Sequence, residues 1–329
     1  MRAPRARSAA FLVAVAAIWG LAGLELLTRQ STGNGSATGA PAPEALPGVR
    51  VTPATVLASD PDAPGETALW VIATRGDVIS ARKFQRAAGG GWSVNRAAAT
   101  LTLAGASRCH FDVADWPGVG PALFAVCPAG HLLADTVLAL SGAHRTLASG
   151  RLAPSEGEPG AEATVFAAHW AGSDPDLLAL SRSRAGRSSG RLVVYSPSSS
   201  SGRPIATLAL APFVAAPAWS PAFARYSGGA DDLFLVGARQ RPSDAPAPLY
   251  ALSSDARLLH LVAHLPLELP PPPKAPGATR LLIGGPSGAR WLLQVQIAAD
   301  GRASVLSWPL PAPLAPSPSL ALAPSARAP

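Results

Sequence analysis

Short apolar runs separated by clusters of Gly, Pro, Ser, Asp and Arg recur along most of the chain. Five of them are Leu69-Trp70-Val71-Ile72, Leu123-Phe124-Ala125-Val126, Leu177-Leu178-Ala179-Leu180, Leu233-Phe234-Leu235-Val236 and Leu281-Leu282-Ile283, whose first residues lie 54, 54, 56 and 48 positions apart. Runs this short, bounded by turn formers, predict strands rather than helices. A second run follows each at hairpin distance: Val78-Ile79-Ser80, Thr136-Val137-Leu138-Ala139-Leu140, Leu192-Val193-Val194-Tyr195, Leu249-Tyr250-Ala251-Leu252 and Trp291-Leu292-Leu293-Gln294-Val295. A third comes next in some units, as in Arg257 to Val262 and Ser304 to Trp308, and a strand ahead of each loop, such as Cys109 to Val113 or Thr164 to Ala167, completes the set. The two ends of the array also agree locally, Pro64-Gly65-Glu66-Thr67-Ala68-Leu69 matching Pro276-Gly277-Ala278-Thr279-Arg280-Leu281.

Four strands repeating about every 50 residues without intervening helices predict an all-β fold, a β-propeller of about five four-stranded blades. A lone four-stranded sheet cannot cover both of its faces, whereas sheets stacked around an axis cover one another. The strands then read as unbroken apolar runs instead of strict alternation. The propeller is expected over residues 51–309, with Val51 to Val56 closing the ring and Pro53 blurring the strand limits. A β-sandwich, or two small β-domains, explains the number of strands but not their recurrence.

The segment before residue 51 has a different character. Arg2, Arg5 and Arg7 precede an apolar run from Ala9 to Leu27, interrupted by Gly20, Gly23 and Glu25. Its length suits one bilayer crossing, and the preceding basic residues favour a cytoplasmic N-terminus. Residues 1–29 are therefore expected to be a transmembrane signal anchor, or a signal peptide if cleaved near Ala16 or Ala22. Residues 30–50 read as a flexible linker and residues 310–329 as a disordered Pro/Ala-rich tail. The expected location is the cell membrane, single-pass with an extracytoplasmic C-terminal domain, or secreted after cleavage.

Composition narrows the partners. The 329 residues carry a formal charge of +7 with only 14% charged side chains, and 48% are hydrophobic. With residues 1–50 and 309–329 set aside, 21 basic residues face 18 acidic ones. The basic balance is scattered Arg, so no nucleic-acid partner is expected. Cys109 and Cys127 flank Gly118 symmetrically, which places them opposite each other if that segment connects an antiparallel pair. A disulfide fits an oxidising compartment, and two buried thiols are the alternative. Neither cysteine has His partners at zinc-ligand spacing.

Several loops ahead of the Leu-rich strands carry Asp, Gly and Pro: Asp60-Pro61-Asp62-Ala63-Pro64-Gly65, Asp115-Trp116-Pro117-Gly118-Val119-Gly120, Gly172-Ser173-Asp174-Pro175-Asp176 and Gly228-Gly229-Ala230-Asp231-Asp232. With Asp176-Leu177, Asp232-Leu233 and Gly190-Arg191-Leu192-Val193-Val194-Tyr195, these resemble the FG-GAP or VCBS-type repeats of extracellular β-propellers. Pro248-Leu249-Tyr250-Ala251-Leu252 also resembles strands of quinoprotein-type propellers. The FG-GAP resemblance implies calcium in such loops, and Asp60 and Asp62 are the remaining candidate metal ligands here. Pro64, Pro117 and Val119 stand where further oxygens are wanted, and calcium needs six to eight. Most of these Asp are therefore expected to bond their own turns, and no cofactor is expected.

Trp116, Trp170 and Trp219 precede the apolar strand in three successive units, with His169 beside Trp170. Together with Asp115 and Asp174 they are the candidate ligand-binding residues for a sugar face or a protein loop, and packing between blades is the competing role. Arg75-Gly76-Asp77 lies between two predicted strands and resembles the integrin-recognition tripeptide, although a tight turn favours Gly and Asp in any case. No catalytic residue is assigned. Gly285-Pro286-Ser287-Gly288-Ala289 fails as a nucleophile elbow, and neither a phosphate loop nor a His-Glu-x-x-His pair occurs. The six His share no repeat position. The expected function is an extracytoplasmic binding or scaffold module recognising a protein or glycan through propeller loops. The alternative is a hydrolase of envelope polysaccharide using paired carboxylates from Asp112, Asp115, Asp174, Asp176, Asp231 and Asp232.

Overall fold

The computed structural model describes residues 42–52, 55–60, 67–87, 90–129, 132–141, 145–153, 164–170, 175–181, 190–197, 202–210, 221–227, 230–237, 249–254, 259–265, 280–285, 290–298 and 300–311. The expected membrane helix, most of the linker before Ala42 and the tail beyond Pro311 lie outside them. No helix among the described residues is long and apolar enough to cross a membrane.

Among the described residues, twenty strands form five antiparallel four-stranded sheets. The first blade runs from axis to rim as β2 (Thr55–Asp60), β3 (Thr67–Arg75), β4 (Val78–Arg86) and β5 (Trp92–Thr102). The second is β6 (His110–Trp116), β7 (Gly120–Ala129), β8 (Leu132–Ala139) and β9 (Thr146–Leu152). The third is β10 (Thr164–Ala168), β11 (Asp176–Ser181), β12 (Arg191–Tyr195) and β13 (Ala206–Ala209). The fourth is β14 (Ala222–Ala224), β15 (Asp232–Val236), β16 (Leu249–Ser254) and β17 (Leu259–Leu265). The fifth blade joins the two ends of the ring: β18 (Arg280–Gly284), β19 (Trp291–Ile297) and β20 (Arg302–Pro309) are completed by β1 (Glu44–Arg50).

Closure is visible in the core. Five separate apolar clusters occur, each made of residues from two neighbouring blades, including one between the fifth and the first. In that closing seam Leu46 and Val49 of β1 pack with Leu69, Val71 and Phe84 of the first blade and Leu293 and Val305 of the fifth. A Leu or Val buried in this way contributes about 1.5–3 kcal/mol. The seam also holds a bidentate ion pair, with Arg86 Nε donating to Glu44 Oε1 and Oε2 at 3.2 and 3.0 Å. That guanidinium lies over Trp291, 4.9 Å from the ring centroid.

Burial by strand explains the sequence pattern. The second strands are closed on both faces: all five residues of β15 and the first six of β3 are buried. Strands nearer the rim are less enclosed: β4 intersperses buried Ile79, Ala81 and Phe84 with more exposed residues, and β9 buries Leu152 alone.

Two expectations about the ring need correction. Closure uses Glu44–Arg50 rather than Val51 to Val56, and Thr55–Asp60 is instead the axial strand of the first blade. The 30–50 linker thus ends in a strand. Its composition hid that strand, because an outermost strand tolerates Pro47 and absorbs Gly48 (φ 69°) at an irregularity in the register. The fifth Leu-rich run, Leu281 to Ile283, belongs to the axial strand β18 and not to a second strand. The true counterpart is Leu292-Leu293 in β19, which explains the short spacing of 48. Residues 281–283 are as enclosed as a second strand, so hydropathy could not tell the two apart.

Candidate functional site

In an antiparallel meander, alternate connections emerge at the same end of the sheet. Connections between the first and second strand of each blade therefore share one face of the propeller, and most of the candidate residues lie on or beside them. The second-blade connection is a tight hairpin, Trp116 pairing with Gly120 around Pro117 to Val119. Gly118 (φ 73°) and Gly120 (φ 88°) take left-handed backbone that favours glycine there. Its register sets His110 opposite Val126, and the next step joins Cys109 to Cys127 in a disulfide with Cα atoms 4.1 Å apart. The bridge borders the apolar cluster between the first and second blades.

The tryptophans in this region are packed. Trp170 is buried and meets Phe223 of the fourth blade edge-on at 5.8 Å, and Phe223 in turn meets Phe166 at 5.4 Å. Trp116 is partly buried, 6.1 Å from Phe124. Asp115 is partly buried opposite Pro121. Asp62, Asp174 and Trp219 lie outside the described residues, and Asp60 is placed by its backbone alone at the end of β2. No group of three or more His, Cys, Asp or Glu suited to a metal ion occurs among the described residues.

Two carboxylates converge on the axis. Asp112 of β6 and Asp231, just ahead of β15, line one cavity of about 20 Å³ together with Phe166, Phe223 and Leu282. The axial strands have one edge without a ladder partner, and these acids satisfy part of it. Asp112 Oδ2 accepts from Ala167 N at 3.0 Å, tying the second blade to the third. Asp231 Oδ2 accepts from His169 N at 2.7 Å while Asp231 N donates to His169 O at 2.6 Å, tying the third blade to the fourth. His169 is accordingly buried, with its backbone held by this reciprocal pair.

The neighbouring acid works inside its own blade. Asp232 Oδ2 accepts from Tyr226 N and Ser227 N at 3.1 and 2.6 Å, and the Ser227 hydroxyl lies 2.9 Å from Oδ1. Burial nevertheless holds the Asp232 carboxyl above its usual range, against those hydrogen bonds. Burial, then the charge of Asp232, pushes the Tyr226 hydroxyl up to about 12. That hydroxyl donates to Pro311 O at 2.9 Å and so ties the fourth blade to the end of the fifth. Buried Arg290 makes a parallel tie, donating from Nε to Arg225 O at 2.9 Å and from a terminal nitrogen to Gly285 O. The Asp-Gly pattern pointed to Asp231 and Asp232, whereas nothing in the local sequence marked Arg290. The Arg75-Gly76-Asp77 tripeptide does sit on a hairpin tip, where Asp77 Oδ1 accepts from Gly105 N at 2.8 Å.

No protein-family model and no curated protein matches the chain. The FG-GAP resemblance is therefore supported only as far as the propeller architecture. Among solved structures the chain is similar to an exo-β-1,3-galactanase from Phanerochaete chrysosporium, at 12% identity and a TM-score of 0.42, covering 83% of this chain and 65% of that one. A putative exo-β-1,3-galactanase from Bifidobacterium bifidum is similar at 10% identity and a TM-score of 0.40, covering 83% and 93%. The likeness is distant, and the chain spans about 65% of the length of the fungal enzyme.

Proposed function

We propose that the protein is an extracytoplasmic propeller that recognises a glycan or a protein through its loops, held at the membrane by its N-terminal apolar segment. The observation carrying this reading is the use of the axial acids. Asp112 and Asp231 each give an oxygen to a backbone N–H of a neighbouring blade, and the cavity they both line is about 20 Å³. That volume is near the minimum for a single water and far below a sugar ring. A glycosidase acts through two carboxyls facing a bound sugar ring, whereas here each holds a backbone N–H of a neighbouring blade.

The hydrolase reading has its own support in the meeting of two carboxylates from different blades at one cavity. One experiment separates the two. The full chain is offered a glycan array and, in parallel, β-1,3-galactan, the polymer named for the similar fungal enzyme. Retention without release of reducing ends is expected. Turnover that disappears in Asp112→Asn and Asp231→Asn would establish hydrolysis instead. Membrane fractionation of a C-terminally tagged chain tests the anchor, which is expected to keep the protein in the membrane pellet.

A further inference from the structure

A second concavity lies at the closing seam and shares no lining residue with the axial cavity. It measures about 140 Å³ and is lined on its apolar side by Val49, Val71, Ala73 and Phe84, of which Ala73 is exposed and the others are buried. Arg50 and Arg82 border it, both exposed, along with Thr55 and Ser80. These residues cluster where β3 turns into β4 and β1 leads into β2. That is the opposite end of the blades from the connection carrying Asp115 and Trp116.

The charges there are arranged at a cost. Arg50 of β1 stands directly opposite Arg302 of β20 in the register. Like charges facing each other across paired strands destabilise the pair. Arg302 turns to Asp300, its Nε 2.5 Å from Oδ2. Neither Arg50 nor Arg82 has an acidic partner among the described residues. Two guanidinium groups at the rim of a concavity of this volume, with two hydroxyl-bearing side chains beside them, form a site for an anion with a body attached.

We infer that this seam binds an acidic saccharide unit, with its carboxylate held by Arg50 and Arg82 and its ring seated in the concavity they border. Guanidinium groups pair with carboxylates through parallel N–H donors. The hydroxyls of Ser80 and Thr55 suit the ring oxygens of a sugar. Thr55 stays oriented because its Oγ1 accepts from Thr52 N at 3.0 Å. The closing strand supplies one arginine and the first blade the other, so the site exists only in the closed ring. It does not depend on the axial acids, and failure of either assignment leaves the other standing.

The test is calorimetric titration of the full chain with glucuronate, glucose and inorganic sulfate, and then with a glucuronate-containing oligosaccharide. Saturable binding of glucuronate is expected, with glucose undetectable and sulfate weaker. Arg50→Ala and Arg82→Ala are each expected to weaken glucuronate about tenfold or more. Arg75→Ala, on the adjacent hairpin tip and outside the groove, should leave binding unchanged. Tighter binding of the oligosaccharide than of the monosaccharide assigns the site to a polymer, and equal binding assigns it to the free acid sugar. Binding of glucose or sulfate as tight as that of glucuronate overturns the inference. So does absence of glucuronate binding, or binding unaltered in both arginine variants with thermal midpoints matching the parent.

Discussion

Asp135 offers a test of how the blades are packed. It lies in β8, is 1% exposed, and neither carboxylate oxygen has a hydrogen-bond partner among the described residues. It faces Gly150 across the strand pair, where an added Cβ would come within 2.8 Å of Oδ1. Burial raises the Asp135 pKa. A carboxyl raised in the folded state contributes most favourably below its unfolded value near 4, where it is protonated in both states. That contribution is lost as pH rises through the folded value, so at neutral pH the group works against folding. An unsatisfied buried polar group costs about 1–3 kcal/mol. Valine has a similar volume and suits a strand, so Asp135→Val is expected to stabilise the protein by about that amount at pH 7. At about 2–4 °C per kcal/mol for a domain near this size, the midpoint should rise by about 2–12 °C. Thermal unfolding followed by circular dichroism at pH 7 and pH 4 checks both magnitude and sign. The gap between variant and parent should narrow at pH 4. A variant less stable than the parent at pH 7, or a gap that does not change with pH, would show the argument to be wrong.

Two further perturbations probe the seams. Glu44→Gln removes the charge that pairs β1 with Arg86, whose hydrogen bonds lower the Glu44 pKa ahead of every other cause. The pair is partly solvated, so the expected loss is about 0.5–1 kcal/mol at pH 7. Because the folded pKa is depressed, the parent's advantage is present above the unfolded value and should fade as acid carries the pH down through the folded one. Denaturant midpoints at pH 7 and pH 3 measure it, and an equal loss at both pH values would contradict the assignment. Gly202→Ala places a Cβ 2.1 Å from Arg151 O of the second blade, at a left-handed φ of 61°. Ala153 N donates to Gly202 O at this same crossing, so the blades cannot simply part. A loss of about 2 kcal/mol or more is expected from strain and overpacking, read as a lower thermal midpoint. A neutral Gly202→Ala would mean that this crossing is loose.

Hydropathy and spacing alone determined that the chain is all-β, that its units have four strands, and that about five units stack. Each of these follows from burial, because a sheet enclosed on both faces must be apolar throughout and its turns must break the run. The pairing of Cys109 with Cys127 was legible for a similar local reason, as a hairpin fixes which residues face each other. Tertiary structure alone decided where the ring closes. Glu44–Arg50 reads as a polar, Pro-containing linker, and it becomes a strand because β20 offers an open edge and the seam takes up Leu46 and Val49. It also decided what the loop acids do. Asp in a turn looks the same in sequence whether it meets a metal, a substrate or a backbone N–H. Only the approach of the neighbouring blade committed Asp112 to Ala167 and Asp231 to His169. The juxtaposition of Arg50 and Arg82 is of the same kind, since Arg50 takes its place only when β1 joins β20 at the last seam.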